Sequence, residues 1–389
     1  MFVIIRLLFN FLDYSCCLKM KNKNILLSVA IFAISVGGIL IYNLIPQFET
    51  TKFDQQSIVK ISEGSTTTVI IADNSPTTTS KEPISEDLIN IQPSEIDTLL
   101  ENNSTINISE YFETFLLVGS DKRADNSSLS RGFVEGQRAD VIILALIKKD
   151  DGAVSLVSLP RDLLIKNSCT DEIQRINSTF QKNDCGNSAE NLSANILNIT
   201  GLLVNHFALF TFEGFEKIID SLNGVEICLD KAQREGYSFE LSSGCQIVNG
   251  SVALNWVVSR NTEVLVGEKI IDDNGNDASL WEPMIGVSDL YRVKKQQQIV
   301  ISLLTKLNEF NSYTDLYNLI KALELTFTID ENLSIPNATQ LLWGYRNFQF
   351  SQINKLTVPT KPFRTEDGKE VLVLTQDFYS FIKSQNLLD

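Results

Sequence analysis

The sequence predicts an α/β fold in which helices cover both faces of a central sheet. Apolar runs of strand length, such as YFETFLLVG and VIILALI, recur from Tyr111 onward. Segments with helical spacing lie between such runs, and NSAENLSANILNITG has both a polar start and a closing glycine. Strands and helices thus alternate along the chain, which is typical of a mixed sheet with helices on both faces.

Each element follows from its local pattern. The run AVSLVSL comes after the turn KKDDG, which indicates a hairpin with VIILALI. HFALF predicts a strand, TFEGFEKIIDSLNGV a helix that ends at Gly224, and VEICL another short strand. NGSVALNWVVS has Ala253, Trp256 and Val257 along one helical stripe, and SDLYRVKKQQQIVISLLTKLNEF predicts a long helix.

Composition excludes several classes of protein. The chain has 389 residues, of which 43% are hydrophobic and 21% charged, and its formal net charge is −15. So acidic a chain lacks the basic face that nucleic acid requires. Its single histidine, His206, lies in the apolar stretch NHFALF and is interpreted as a core or strand-end residue. Histidine-based catalytic dyads and zinc sites are therefore poorly supported.

The amino-terminal region predicts a membrane anchor. Residues 25–45 are 21 positions without a charge, which span about 30 Å as a helix. Positive charges concentrate in residues 1–24, so we expect a cytoplasmic amino terminus, a single-pass transmembrane helix and an extracytoplasmic remainder. The alternative is a signal peptide, but no small-residue cleavage site follows the apolar run. The natural start is either Met1 or Met20, since MKNKNILL resembles a natural beginning.

The chain beyond the anchor divides into two parts. Residues 46–110 are rich in Ser, Thr, Asn and acidic residues, which predicts a low-complexity extracytoplasmic stalk. Residues 111–389 are predicted to form the folded extracytoplasmic domain. Four cysteines of this domain permit three disulfide pairings, of which nearest-neighbour pairing closes two loops of similar length; they are Cys169, Cys185, Cys228 and Cys245. An extracytoplasmic location favours structural disulfides.

Two aspartates flank the first two predicted strands. Asp121 follows one strand in LLVGSDKR, and Asp140 precedes the next in QRADVIIL. If these strands pair antiparallel, both carboxylates meet at one end of the sheet. Oxygen ligands without nearby His or Cys suit Mg²⁺ or Mn²⁺, which keep waters and phosphate oxygens as their other ligands. Either carboxylate could also accept a proton during catalysis, and the sequence does not distinguish between them.

Arginines gather near the same strand ends and turns. A guanidinium group matches phosphate oxygens bidentately, so the cluster predicts a phosphate site. Its members are Arg123, Arg138, Arg161, Arg175, Arg260 and Arg292. On the last long helix Arg292 and Gln296 are four residues apart and share a face, with Lys295 beside them.

These motifs, in this order, resemble the LytR-CpsA-Psr family of membrane-anchored cell-wall ligases. The matching pieces are LLVGSDKR, QRADVIIL, VSLVSLPRD, RIN, FTFEGFEKIIDSLNGVEI, VNGSVALNWVVSR and DLYRVKKQQQ. Together they cover roughly residues 112–310. The cysteines in VEICLD and SSGCQIVNG are similar to those of the actinobacterial branch.

The resemblance implies a fold, a reaction and a site. The implied fold is an αβα sandwich with a hydrophobic pocket for a lipid tail. The implied reaction is Mg²⁺-dependent phosphotransfer of a glycosyl-phosphate polymer from a polyprenyl-pyrophosphate carrier to a peptidoglycan hydroxyl. By position in the motifs, Asp121 and Asp140 hold the metal with the pyrophosphate. The phosphate-clamping set by resemblance is Arg138, Arg260, Arg292 and Gln296, supported by Arg123, Arg161, Arg175 and Lys295.

Four positions depart from the family pattern. Ala139 and Val141 replace hydroxyl residues, Val258 stands where an arginine is usual, and Lys295 replaces another arginine. Loss of a bidentate contact weakens phosphate binding. Two further functions therefore stay open: a polyprenyl-pyrophosphate phosphatase, and a catalytically silent glycolipid-binding or regulatory membrane protein. The sequence does not identify which glycopolymer is carried.

Overall fold

The structure is a computed structural model that describes residues 49–63, 106–120, 138–284, 289–322, 327–365 and 368–388. Contacts group Phe48–Asp389 into one compact unit. Among the residues described, none of the helices has both the length and the apolar character that crossing a bilayer requires. The predicted transmembrane helix over 25–45 lies outside this part of the chain.

The unit contains both strands and helices throughout its length. The strands are β1 (Glu49–Thr51), β2 (Phe112–Ser120), β3 (Ala139–Lys148), β4 (Val154–Ser158), β5 (Leu164–Lys166), β6 (Ile173–Arg175), β7 (His206–Thr211), β8 (Val225–Leu229), β9 (Gln233–Glu235), β10 (Phe239–Leu241), β11 (Gly244–Val248), β12 (Glu263–Val266), β13 (Leu280–Pro283), β14 (Phe327–Asp330), β15 (Asn354–Thr357), β16 (Thr360–Arg364) and β17 (Glu370–Leu374). The helices are α1 (Gln55–Glu63), α2 (Ser188–Thr200), α3 (Phe212–Ser221), α4 (Gly250–Val258), α5 (Asp289–Thr305), α6 (Tyr313–Ala322), α7 (Ile335–Gly344) and α8 (Phe378–Ser384).

A mixed seven-stranded sheet forms the centre, with the order β1-β14-β7-β2-β3-β4-β15. Strand β2 pairs antiparallel with β3 and parallel with β7, and β3 pairs antiparallel with β4. The carboxyl ends of β2, β4 and β7 therefore lie beside the amino end of β3, at the same end of the central strands. This arrangement confirms the predicted antiparallel pairing of the first two strands.

Helices cover both faces of this sheet, as predicted. Successive side chains of a strand point to opposite faces, so Leu116 joins one core cluster while Leu117 packs against another. The first cluster includes residues of α1, α2 and α8. The second includes residues of α6 and α7, with α5 packed against it.

A third cluster brings α3 and α4 against the antiparallel pair of β8 and β11. Close approach here depends on Gly250, because a Cβ at this position would lie 2.4 Å from the backbone oxygen of Glu216. The structure pairs Cys228 with Cys245 across these two strands and Cys169 with Cys185 elsewhere, which is the nearest-neighbour arrangement.

The predicted stalk over 46–110 is wrong for residues 49–63, and the folded domain begins before residue 111. Strand β1 extends the central sheet by pairing in parallel with β14. Helix α1 packs on α2, and it begins where Gln56 N donates a hydrogen bond to Asp54 Oδ1. Phe53 and Ile58 are almost completely buried in the first core cluster. Apolar burial therefore offsets the ordering of a polar segment.

His206 occupies a strand end, as one of the two sequence interpretations proposed. It begins β7, with Nε2 3.2 Å from Glu113 Oε1 and Nδ1 3.4 Å from Asp330 Oδ2. Burial of the ring lowers its pKa, but hydrogen bonds and charges from Asp330 and Glu113 together outweigh that effect and raise the pKa above its ordinary value. His206 therefore lies at the amino end of β7, opposite to the end of the central strands where the carboxyl ends of β2 and β7 meet.

Candidate active site

A cavity of about 900 Å³ lies between helices α5–α7 and the face of the sheet on which the second core cluster packs. Its wall on the sheet side includes Phe115, Leu117 and Gly119, alternate residues of β2. Its wall on the helix side includes apolar residues of α5, α6 and α7. Alternate residues of β2 thus face the cavity, while the residues between them face the packed core on the other side of the sheet.

The polar end of the cavity collects residues from several separate elements. Its charged and amide side chains come from the start of β3, the turn after β4, the β6 region, the turn after α4, and the first turns of α5. They are Arg138, Asp140, Arg161, Asp162, Arg175, Asn177, Arg260, Arg292 and Gln296. Five arginines face two aspartates among these described residues, so this end of the cavity favours an anion.

Ion pairs connect the members near the sheet edge. Arg161 Nη1 lies 2.6 Å from Asp140 Oδ1, and Arg161 Nε lies 3.5 Å from Asp162 Oδ2. Asp162 Oδ1 lies 3.3 Å from Arg175 Nε. Arg175 also donates from Nη2 to the backbone oxygen of Glu370 at 2.8 Å. The four side chains form an alternating chain of charges along the mouth of the cavity.

Two glutamines attach helix α5 to the sheets, and the residue before them, Gln296, lines the cavity. Gln297 Nε2 donates to Ser158 Oγ at 2.9 Å, which attaches α5 to β4. Gln298 Nε2 donates to the backbone oxygen of Cys228 at 3.0 Å, which attaches α5 to β8. Arg292 and Gln296 therefore line the cavity together, as the helical spacing predicted.

Arg292 lies in a positive environment. Burial and the neighbouring charges of Arg161 and Arg260 lower its pKa to about 10, although Asp162 and Asp140 act in the opposite direction. A guanidinium group held among like charges gains most when an anion arrives.

Lys295 does not join the cavity lining, so its expected place in the phosphate clamp is wrong in this structure. Its side chain is 2% exposed. The ammonium Nζ donates to the backbone oxygen of Trp256 at 3.0 Å and to Thr262 Oγ1 at 2.9 Å. A helical step of three residues turns Lys295 from the face of Arg292 toward α4.

Two of the predicted site residues cannot be placed. Asp121 and Arg123 lie outside the residues that the structure describes. Ser120, which precedes Asp121 in the chain, pairs with Ala139, which precedes Asp140. Among the departures from the family pattern, Val141 and Val258 line the cavity.

Sequence reasoning missed Asp162 and Asn177. Asp162 directly follows Arg161 in LPRD, and that adjacency was the available signal. Asn177 was harder to find, because RIN places it two residues after Arg175 without any periodic pattern. The extent of the apolar walls was also missed, since a residue that faces a cavity has the same hydrophobicity as one in the core.

Among the described carboxylates, Asp140 fits a hard divalent cation in ligand type. It lies at the cavity mouth, and carboxylate oxygens are the ligands that Mg²⁺ prefers. The one cluster of three metal-ligand side chains found within the described residues comprises Glu226, Cys228 and Cys245, and its two cysteines are bonded to each other. That cluster is therefore no metal site in this state.

Comparison with known proteins supports a family assignment. The LytR_cpsA_psr family model matches residues 76–267, slightly less than half of the chain, and the comparisons support a protein of that family.

Two relatives agree with this assignment, and a solved structure shares the fold. The chain is 25% identical over 281 residues to the cell wall biosynthesis protein LcpA of Corynebacterium glutamicum, covering 63% of this chain and 49% of LcpA. It is 23% identical over 233 residues to the polyisoprenyl-teichoic acid–peptidoglycan teichoic acid transferase TagU of Enterococcus faecalis, covering 60% of this chain and 65% of TagU. The match thus spans only about half of LcpA. A LytR-Csp2A-Psr enzyme from Actinomyces oris shares the fold, with a TM-score of 0.51 and 22% identity over 72% of this chain and 94% of that chain.

Proposed function

We propose that this protein transfers a glycosyl-phosphate polymer from a polyprenyl-pyrophosphate carrier to peptidoglycan during cell-wall assembly. The observation that carries the proposal is the cavity itself, whose apolar walls lead to a mouth with five arginines. A lipid diphosphate has the matching chemistry, with an apolar tail and an anionic head. The name of TagU, a transferase between a polyisoprenyl-linked polymer and peptidoglycan, supports the same class of reaction.

The proposed reaction is a displacement at phosphorus. The oxygen of a peptidoglycan hydroxyl forms a bond to the phosphorus that bears the glycan. The bond from that phosphorus to the bridging oxygen breaks, and polyprenyl phosphate leaves with the electron pair. Charge accumulates on the leaving and equatorial oxygens, so catalysis rests on positioned cations.

The arginines divide naturally between two roles. Arg161 and Arg175 form ion pairs with Asp140 and Asp162, so they are proposed to organise the mouth of the cavity. Arg260 and Arg292 come from the helical side of the cavity and are proposed to bind the pyrophosphate oxygens. Bidentate guanidinium contacts orient the phosphate as well as attract it.

Mg²⁺ is the proposed cofactor, with Mn²⁺ as a substitute. Asp140 and Asp121 are the proposed ligands. When bound, such a cation neutralises charge on the pyrophosphate oxygens. The proton of the acceptor hydroxyl is assigned to one of the same two carboxylates, because both would lie beside the reacting phosphate.

The proposed location follows from the sequence. Residues 25–45 are proposed to anchor the protein in the cell membrane, with the amino terminus cytoplasmic and the catalytic domain outside. This topology would place the cavity on the side where both the lipid carrier and peptidoglycan are available.

One experiment separates this function from its alternatives. The full-length protein is incubated with a short-chain polyprenyl-pyrophosphate glycan and peptidoglycan, in Mg²⁺ or in EDTA. Metal-dependent attachment of the glycan to peptidoglycan supports transfer. Release of free glycan phosphate supports the phosphatase, and tight binding without turnover supports a silent glycolipid-binding protein.

Two substitutions test the site within the same assay. Asp121→Ala and Arg292→Ala are each expected to abolish turnover while circular dichroism shows an unchanged fold. Lys294→Ala is the matched control, because Lys294 lies exposed on the same helix as Arg292. Wild-type rates in either site variant would contradict the assignment.

A further inference from the structure

The turn that carries Arg260 begins where helix α4 ends. The helix stops at Val258, and Ser259 has the extended backbone angles φ −56° and ψ 133°. In a longer helix the backbone oxygen of Trp256 would accept a hydrogen bond from the amide four residues later, that of Arg260. Here that oxygen accepts from Lys295 Nζ at 3.0 Å instead. A buried ammonium group thus caps the carboxyl end of α4.

The same ammonium group holds the far end of the turn. Lys295 Nζ donates to Thr262 Oγ1 at 2.9 Å. The hydroxyls of Thr262 and Ser259 lie 2.7 Å apart, and both residues are almost completely buried. Arg260, between them, is exposed and lines the cavity. Two fixed ends therefore determine where the turn places Arg260.

Several groups surround Lys295 at close range. Its Nζ lies 5.4 Å from the ring centroid of Trp256 and 5.0 Å from that of Tyr291. Burial is the main cause that lowers its pKa to about 8, Glu235 opposes this effect, and Arg292 adds to it. A buried cation costs free energy that an apolar side chain of similar volume would avoid. Its hydrogen bonds to α4 and the turn indicate a geometric role.

We propose that Lys295 is a positioning residue that sets the place of Arg260 relative to Arg292. Arg292 and Lys295 are one helical turn apart on α5, while Arg260 follows α4. Lys295 joins these two elements at the point where their arginines enter the cavity. The inference rests on the proposed function only for the identity of the anion that the two arginines bind.

A double-mutant cycle tests whether Lys295 acts through Arg260. The full-length protein and its variants Lys295→Met, Arg260→Ala and the double variant are titrated with farnesyl pyrophosphate by calorimetry. Loss of a charged hydrogen-bonding group is expected to weaken binding about tenfold or more in each single variant. The double variant is expected to bind within about twofold of Arg260→Ala alone, because coupled residues are not additive. Multiplied losses, or unchanged binding in Lys295→Met, would overturn the proposal.

Three further variants keep the test decisive. Lys295→Arg retains a cation and is expected to restore binding, whereas loss equal to that of Lys295→Met would contradict the proposal. Thr262→Val removes one acceptor of Lys295 with little change of shape, and it is expected to weaken binding non-additively with Arg260→Ala. This variant decides the question if Lys295→Met fails to fold. Lys294→Met, an exposed neighbour, is the control and is expected to bind like wild type.

Hydrogen exchange separates this inference from the proposed function. Amides of the turn 259–262 are expected to exchange faster in Lys295→Met than in wild type or Lys294→Met, whatever the ligand. Unchanged exchange would refute positioning by Lys295. Failure of the wild-type protein to bind farnesyl pyrophosphate, with faster exchange in Lys295→Met, would instead refute the proposed function.

Discussion

Replacing Arg292 by glutamine should stabilise the ligand-free protein and weaken its binding of pyrophosphate. Burial and the charges of Arg161 and Arg260 lower the pKa of Arg292 from its ordinary value to about 10. That difference corresponds to a cost of at most about 3 kcal/mol for the charged side chain in the fold. Solvent screening of a partly exposed group reduces the cost to about 1 kcal/mol. Glutamine removes the charge and keeps a polar tip, so the variant should recover about this amount.

The two effects require two measurements on the same variant. Urea unfolding at neutral pH should show a free energy of unfolding about 1 kcal/mol higher for Arg292→Gln, since relief of like-charge repulsion is what the substitution changes. Titration with farnesyl pyrophosphate should show binding weaker by about tenfold to a hundredfold, because a charge-assisted contact is lost. Lys294→Gln, on the exposed face of the same helix, should change neither quantity.

The reasoning fails if Arg292→Gln is less stable than wild type and binds farnesyl pyrophosphate equally well. That result would mean that Arg292 is a structural residue whose contacts outweigh the repulsion. Higher stability together with weaker binding is the pattern of a residue kept for function at the expense of the fold.

Three other predictions follow from burial and charge. The pKa of Lys295 is lowered to about 8, so above that pH the unfolded chain binds more protons than the folded protein. Urea unfolding should therefore show that the stability of wild type relative to Lys295→Met rises between about pH 8 and 10.5. The raised pKa of His206 has the opposite sign: the stability that wild type gains over His206→Gln should be complete below about pH 6.5 and decline as the pH rises through the raised value. A fragment of residues 111–389 should have a free energy of unfolding lower than that of 48–389 by about 6–12 kcal/mol, and it should unfold at a lower urea concentration. It lacks four buried apolar side chains, namely Phe53, Ile58, Ile61 and Ile108, and equal midpoints would contradict the packing of this segment.

Local patterns were sufficient for the central part of the fold. The alternation and length of apolar runs predicted β2, β3 and β4, and the pairing of β2 with β3 placed Arg138 and Asp140 at the sheet edge. The spacing of Arg292 and Gln296 predicted one helical face, and both line the cavity. Residues that share an element or flank neighbouring strands are related by short-range geometry, which a sequence displays.

Long-range contacts explain what the sequence did not display. Strand β1 pairs with β14, with Glu49 opposite Thr328, and no local pattern links segments so distant. A strand of three residues within a Ser/Thr-rich region has no periodicity of its own. The prediction that Lys295 joins the phosphate clamp failed for a related reason. A residue three positions along a helix lies about 60° around the helix from Arg292, so it can face either the cavity or a neighbouring helix, and the position of α4 determines which.

The departures from the family pattern give Lys295 more weight in this chain. Val258 stands where the resemblance implies a second arginine, and here it adds to the apolar lining of the cavity. The turn after α4 therefore brings one guanidinium group, that of Arg260, to the pyrophosphate. With two arginines, a displaced turn would still leave one cation within reach of the phosphate oxygens. With one, the binding energy of the turn depends on how firmly its ends are held, and Lys295 donates hydrogen bonds to both α4 and Thr262. Restoring an arginine by Val258→Arg should accordingly make farnesyl pyrophosphate binding less sensitive to Lys295→Met, as measured by the ratio of dissociation constants with and without that substitution.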